Sequence, residues 1–512
     1  MSNADQSYNH QTSRTEHTLA GQALRYTALA EWQPLYDPVH SEKPIAEMFH
    51  VAYLVESDAA VRPLTFVFNG GPGAASAYLH MGALGPKRIA FGPNGSLPKP
   101  PVQIVDNLES WLSFTDLVFI DPIGTGFSRG LPHPATLGAQ PKETTEKPDM
   151  TAEKGAEKSP AGDAEKPKET EFWEVERDLN ALGEFIQRFL SRHNRWLSPI
   201  FIAGESYGGF RVAKLARKLQ QEFGIGLSAA ILISPALEFS LFGGNDYNIT
   251  AWVTPVPSFA AAAAHHGRAQ WAGAPGDLAA HRTAAEQFAR RTLIPLLAMG
   301  DLMPPEERQA TYQQLAGLIG LPVELIEKKV GRIGLDVFAR ELLRDQERIV
   351  GLYDASITAI DPFPDRLFYE GIDPTLDGLD RLFTGAINSH LRDTLSVTTE
   401  SMYRLLNYET FKAWKFDSKG ELKQGFIGAV DDLRIGMTLN PYMQVYITHG
   451  FFDLVTPYFA SNYLADLMKL NSELRPNLTL SHYLGGHMFY TWDESRQRWF
   501  EEMKTFYQNA LA

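Results

Sequence analysis

Residues 198–223, SPIFIAGESYGGFRVAKLARKLQQEF, open on an apolar run, turn through GESYGG and continue in a helical pattern. The three parts read as strand, sharp turn and helix, the setting that a G-x-S-x-G elbow requires. In such a turn Ser206 adopts a strained backbone conformation, with its hydroxyl exposed at the carboxyl end of the strand. Gly204 and Gly208 are needed because a Cβ at either place would collide with the adjoining strand or helix. Five loosely specified positions recur by chance in long chains, so the setting carries the reading more than the motif does.

A serine hydroxyl is a weak nucleophile at neutral pH and needs a base with an orienting acid. With this elbow the two follow the serine in the order acid, then histidine, each just past a late strand. Residues 443–448, MQVYIT, alternate as a strand does, and the HGFFD that follows sets Asp453 in the loop beyond it. Residues 478–484, LTLSHYL, read as the last strand, and GGH then places His487 ahead of a final helix. That helix carries Trp499, Phe500, Met503, Phe506 and Tyr507 on a helical period, with Asp493 as its expected N-cap. Other candidates are weaker. His482 lies inside the strand pattern and reads as a structural histidine, His449 precedes a glycine at a strand end, and Asp431 and Asp432 have no strand immediately before them. Upstream, residues 64–73, LTFVFNGGPG, read as a strand running into a glycine-rich turn. Its bare backbone N–H groups suit a developing oxyanion, and the expected donors are those of Gly71 and Tyr207.

Taken together these blocks resemble the serine carboxypeptidase family of α/β-hydrolases. NGGPGAASAYLHMGALGP is similar to the family's NGGPGCSS…LGP block and DNLESW to its N-x-x-S-W segment, while DPIGTGFS looks like its D-Q-P-x-G-T-G-F-S turn. GESYGG matches the nucleophile block, and HGFFDLVTP and GGHM resemble the acid and histidine blocks, all in family order from about residue 64 to the C-terminus. The likeness is to the bacterial branch more than to the disulfide-rich secreted enzymes. It implies an α/β-hydrolase fold, with a mostly parallel sheet, helices on both faces and a mainly helical cap. It also implies Ser206 as nucleophile, His487 as base, Asp453 as orienting acid and Gly71 with Tyr207 as oxyanion donors. Asn69, Gly70 and Glu205 would meet the substrate's C-terminal carboxylate, and Met488 would line the leaving-group pocket. A carboxylate binds a carboxylate only if a proton is shared, which raises one pKa.

Departures from the family fall around that reader. The second glutamate expected in the helix after NGGPG is Ala83, the tryptophan before the asparagine is Val67, and the cysteine after NGGPG is Ala74. Thr456 and Pro457 replace the cysteine and asparagine expected after Asp453. The chemistry is therefore expected to be intact, with the carboxylate reader reduced to Asn69 and Glu205; a compensating cation such as Arg129 or Lys87 cannot be placed from sequence.

Composition narrows the classes further. The 512 residues carry a formal charge of −14, which lacks the basic footprint of a nucleic-acid or anionic-membrane partner. The chain has no cysteine, so disulfides, thiolate metal sites and cysteine nucleophiles are excluded. No apolar stretch approaches the roughly 20 residues of a membrane span. The N-terminus, MSNADQSYNHQTSRTEH, has no apolar core, so a cytoplasmic location is expected as written, or a periplasmic or secreted one if a leader was removed.

QALRYTALAEWQPLY and AEMFHVAYLVE read as antiparallel edge strands. Residues 141–170 have no aromatic and little to bury, and read as a disordered charged loop ahead of a helix with Val175, Leu179, Leu182, Ile186 and Phe189 on one face. After the core strand ILISPALEF (231–239) the pattern turns helical to about residue 404, with PEERQATYQQLAGLI and GLDVFARELLRDQERIV as helices. The expected organisation is a core of residues 1–240 and 405–512 with a cap insertion at 241–404. His265 and His266 have no third ligand at metal spacing and read as surface loop, and GTGFSRG lacks the glycine spacing of a dinucleotide loop.

The leading expectation is a serine peptidase that releases C-terminal residues from peptides through an acyl-enzyme, with no cofactor and no metal. An esterase or acyltransferase on the same scaffold is the alternative, motivated by Ala83. A catalytically inactive relative that binds peptides is a third, opposed by the presence of the whole set of catalytic blocks.

Overall fold

A computed structural model of the chain describes residues 11–19, 21, 24–36, 44–56, 61–131, 168–366, 369, 371–416 and 427–512. The charged stretch expected as a loop lies outside the described residues up to 167, and its last three residues begin a short 3₁₀ turn, Lys168–Phe172.

One ten-stranded sheet organises the chain. Strands β1 (Ser13–Leu19), β2 (Leu24–Tyr36) and β3 (Pro44–Val55) form an antiparallel edge, as their alternating sequences predict. β4 is Leu64–Phe68, β5 Asp116–Ile120, β6 Ile200–Glu205, β7 Ala229–Ile233, β8 Gln444–Gly450 and β9 Leu478–Tyr483. Their order across the sheet is β1-β2-β3-β5-β4-β6-β7-β8-β9, with the two-residue strand Arg129–Gly130 against β3. β3 meets β5 antiparallel, and every pairing from β5 to β9 is parallel.

The central strands LTFVF, DLVFI, IFIAGE and AAILI are buried along their whole length, as parallel strands covered on both faces must be. Their side chains alternate between two cores. Phe66, Phe68, Ile200 and Ile202 join α1 (Val175–Arg192) and α2 (Tyr207–Glu222) on one face. Val67, Phe201 and Ala203 face the other, where Trp499, Met503, Phe506 and Tyr507 of the last helix, Asp493–Leu511, pack. Val175, Leu179, Leu182, Ile186 and Phe189 are all buried, as the helical period predicts. No helix among the described residues is long and apolar enough to cross a membrane.

Between β7 and β8 the chain runs through helices that include Val256–His265, Leu278–Phe288, Pro305–Ile319 and Leu376–Ser389. A third apolar cluster in this insertion is continuous with Phe452, Leu454, Phe459 and Trp492 of the core.

Local readings differ in four places. The segment GLDVFARELLRDQERIV is helical only over Leu335–Glu341, and its β-branched end, Arg348–Val350, pairs with Thr358–Ile360 as a small hairpin. Asp493 is the first helical residue, not the cap, and its carboxylate takes Arg496 Nη2 at 2.7 Å. β8 runs on through His449 to Gly450. His265 ends a helix, and His266 Nε2 is 2.7 Å from the Ala355 carbonyl, so the pair is not a loop.

Candidate active site

The carboxyl ends of β4, β6, β8 and β9 carry, in turn, the NGGPG turn, the GESYGG elbow, the Asp453 loop and the His487 loop. Parallel pairing brings all four to one edge of the sheet, where such folds hold their ligands.

Ser206 occupies φ 61° and ψ −124°, a conformation that costs a non-glycine residue on the order of 1–3 kcal/mol. The turn is held by Ser206 N–H to Ile233 O at 2.9 Å and by Gly209 N–H to Ser206 O at 2.9 Å. A Cβ on Gly204 would stand 2.3 Å from Gly208 O, and one on Gly208 2.6 Å from Phe68 O, so both glycines are sterically required.

Asp453 is fully buried, and its Oδ2 lies 2.8 Å from His487 Nδ1. Its Oδ1 accepts from the N–H groups of Val455 (2.9 Å) and Thr456 (3.0 Å). Thr456 Oγ1, where sequence placed only a departure from the family, is 2.7 Å from Asp453 Oδ2 and 3.0 Å from both His487 Nδ1 and Ser234 O. With Nδ1–H committed to Asp453, His487 keeps Nε2 as its acceptor. Burial disfavours the His487 cation, but the Asp453 charge and hydrogen bond and the nearby Glu205 outweigh it, leaving the pKa above the ordinary value. His487 and Ser206 line one cavity, together with Asn69, Gly70, Gly71, Glu205 and Met488. Seven of the nine expected site residues thus line one space. Of the other two, Asp453 stands behind His487, and Tyr207 is the residue next to Ser206, with its ring buried against Phe210 and Trp414.

The glycine turn is fixed by a residue that sequence did not single out. Arg211, one turn into α2, is buried and paired with Asp178, Nε to Oδ2 at 2.7 Å. Its Nη1 donates to Asn69 O at 2.7 Å and to Gly70 O at 3.4 Å. In a trans peptide the N–H points opposite its carbonyl, so the Gly70 and Gly71 N–H groups point away from Arg211. A Cβ on Gly70 would come within 2.4 Å of Tyr207 N, which shows how closely the turn approaches the elbow.

Glu205 is buried beside Ser206. Asn69 Nδ2 donates to its Oε2, and Tyr490 Oη donates to its Oε1 at 2.8 Å. The Asn69 amide is oriented by Leu79 N–H, which donates to Oδ1 at 3.0 Å. Burial pushes the Glu205 carboxyl up to about 7, against the pull of His487, Tyr490 and Asn69. Tyr490 corrects the expectation of a two-residue network. Ala83 is buried with no polar group to offer, and its neighbour Gly82 makes room for the tyrosine, since a Cβ there would stand 2.7 Å from Tyr490 Cε2. No spacing rule pointed to Tyr490, three residues past His487.

Ala74, Tyr78, Tyr353, Leu376 and Leu406 are the other lining residues, so among the described residues the lining holds no lysine or arginine. Lys87 pairs with Asp106, while Arg129 donates to the carbonyls of Gly126, Ser128 and Met402. His449, a weaker candidate for the base, is engaged by Thr456 O and Ser461 Oγ, and His482, read as structural, is engaged by Asn462 Oδ1. Among the described residues no group of three or more His, Cys, Asp or Glu is placed to hold a metal ion.

Residues 38–227 match the model of the family described as serine carboxypeptidase. Over that stretch the chain is similar to the serine carboxypeptidase family. No curated protein matches the chain in sequence. Among solved structures it is similar to a prohormone-processing carboxypeptidase from Saccharomyces cerevisiae, at 15% identity over 94% of this chain and 91% of that one, with a TM-score of 0.52. That likeness shows the α/β-hydrolase fold. Two further matches are a proline iminopeptidase from Mycobacterium smegmatis (13% identity, 94% and 99% covered, TM-score 0.36) and a soluble monoglyceride lipase variant from Saccharomyces cerevisiae (13%, 98% and 98%, 0.36). Family and fold support a serine hydrolase.

Proposed function

We propose that this chain is a serine carboxypeptidase that releases C-terminal residues from peptides through an acyl-enzyme. The observation that carries the reading is the Asp453–His487 pair at 2.8 Å, opening into the same cavity as the strained Ser206. His487 Nε2 takes the proton of Ser206 as its Oγ attacks the scissile carbonyl, and passes it to the leaving amine. The oxyanion is received by the N–H groups of Gly71 and Tyr207, fixed in advance by Arg211 and by the helix start. Water, activated by the same histidine, then releases the acyl group.

Substrate choice follows from the floor of the cavity. Asn69 and a protonated Glu205 present donors to a terminal carboxylate, and Tyr490 holds Glu205 in place. With Glu205 near 7, its neutral form dominates in mildly acid solution, where one shared proton removes the repulsion between the two carboxyls. The insertion at 241–404 acts as the cap, supplying Tyr353 and Leu376 to the wall.

Esterase or acyltransferase activity is the second reading. It is favoured by a cavity whose described lining residues include no lysine or arginine and hold Tyr78, Tyr353, Leu376, Leu406 and Met488. The nucleophile assignment common to both is tested by a fluorophosphonate probe with mass spectrometry of the adduct. Modification of Ser206, absent from Ser206→Ala, is expected; an unmodified wild type would remove both readings.

A further inference from the structure

The hairpin Arg348–Val350/Thr358–Ile360 stands in the insertion, yet its tip is bonded to the two loops that carry Asp453 and His487. On the acid loop, Ala355 N–H donates to Phe452 O at 2.9 Å and Leu454 N–H donates to Leu352 O at 3.0 Å, so Asp453 is bracketed by two backbone bonds. On the histidine loop, His487 N–H donates to Tyr353 O at 2.5 Å. The preceding N–H, that of Gly486, donates to Asp354 Oδ2 at 2.9 Å. The approach is close enough to exclude any side chain at residue 486, where a Cβ would lie 2.1 Å from Tyr353 O and 2.4 Å from Asp354 Cα.

Asp354 is the side chain on which this junction turns. It is buried and has no cation partner among the described residues. Four donors converge on it: Gly486 N–H and Trp492 Nε1–H (3.3 Å) on Oδ2, and Ser356 N–H (3.0 Å) and Oγ–H (2.5 Å) on Oδ1. A buried carboxylate is costly unless its oxygens are satisfied. Here one oxygen closes the hairpin's own turn, while the other reaches across to both flanks of His487. An apolar residue could fill the volume, but it could not hold the Gly486 N–H.

We propose that Asp354 is a positioning residue: it clamps the histidine loop to the insertion, whose tip also grips the acid loop, and so fixes His487 Nε2 relative to Ser206 Oγ. The insertion is then part of the catalytic scaffold as well as a wall of the cavity. Misplacing a general base by about 1 Å costs roughly 100-fold in rate, so loosening this clamp acts on the chemical step more than on substrate binding.

The inference rests on Ser206 and His487 acting as proposed above. Its test therefore measures the rate at which a fluorophosphonate modifies Ser206, a readout of the nucleophile and base that needs no peptide substrate. Asp354→Asn keeps one acceptor oxygen, Asp354→Ala keeps none, and Ser356→Ala removes one donor to Oδ1 without touching the histidine loop. Labelling is expected to slow about 10- to 100-fold in Asp354→Ala, with partial rescue in Asp354→Asn and wild-type rates in Ser356→Ala; thermal unfolding is followed in each. If Asp354→Ala does not fold, Asp354→Asn against Ser356→Ala carries the comparison. Wild-type labelling in the Asp354 variants, or equal slowing in Asp354→Asn and Ser356→Ala at equal stability, overturns the inference. A labelled wild type with unaffected Asp354 variants removes this inference alone, whereas an unlabelled wild type removes the catalytic reading beneath it.

Discussion

Tyr490 Oη lies 2.8 Å from Glu205 Oε1 and donates to it, in a position buried from solvent on both sides. A phenol can share a hydrogen bond with a carboxylate but cannot exchange a proton with it at physiological pH, because the tyrosine pKa is pushed well above its ordinary value by burial and by the Glu205 charge. In the proposed carboxylate reader Glu205 is therefore the group that titrates beside Asn69, and its titration should be readable through substrate binding.

The first prediction concerns pH. A raised carboxyl is protonated below its pKa, so the neutral, carboxylate-accepting form of Glu205 is in place below about 7 and is lost above it. KM for free-acid peptides should stay flat in acid and then rise roughly tenfold per pH unit above that point. In Glu205→Gln the amide keeps a donor at every pH, and the rise should disappear. An identical pH profile of KM in wild type and Glu205→Gln would take Glu205 out of substrate recognition.

Removing the phenol should displace the same profile toward higher pH. Tyr490→Phe deletes a donor that favours ionised Glu205, so the carboxyl should rise further and tight binding of free acids should extend to higher pH. The unpaired Oε1 should cost about 1–3 kcal/mol of stability in a denaturant titration carried out where Glu205 is ionised. A profile displaced toward acid would contradict the assignment of Tyr490 as the donor.

Thr456→Val removes a hydroxyl that is 2.7 Å from Asp453 Oδ2 and 3.0 Å from His487 Nδ1 while keeping nearly the same volume. The acid–base pair then relies on one hydrogen bond and the two backbone donors on Oδ1. A fall in kcat of about tenfold with little change in KM is expected, equivalent to about 1.4 kcal/mol of transition-state stabilisation. Unchanged kcat would show that Asp453 alone orients the histidine.

Gly70→Ala tests the oxyanion turn. The new methyl would meet Tyr207 N at 2.4 Å and Glu205 O at 2.7 Å, both backbone atoms that cannot swing aside. The turn must shift, and loss of one oxyanion donor costs about 100- to 1,000-fold in kcat. Near-normal turnover in a folded Gly70→Ala would place the oxyanion elsewhere.

Much of this was legible in the sequence because it is local. Strand periodicity, the strained Ser206 elbow, and the loops holding Asp453 and His487 each follow from a few consecutive residues, and their order along the chain implied their convergence. What stayed hidden is bonded across the fold. Arg211 reads as one cation on a helix until α2 is seen to aim it at the Asn69 carbonyl. Tyr490 has no spacing relation to Glu205, 285 residues earlier. Asp354 lies just past the segment GLDVFARELLRDQERIV that reads as a helix, and only the turn of its hairpin brings it to Gly486. The helix ends at Glu341 because the β-branched residues of Arg348–Val350 find a pairing partner, a gain that local propensity cannot register.

The most direct test of the central claim compares kcat/KM for an N-blocked dipeptide as its free acid and as its C-terminal amide at pH 6, with Ser206→Ala as the control. The reader formed by Asn69, Glu205 and Tyr490 predicts that the free acid is preferred by about 100-fold or more, the worth of two to three hydrogen bonds to a charged group, and that Ser206→Ala turns over neither. Equal rates on the two substrates would contradict a carboxypeptidase and leave a serine hydrolase of esterase type.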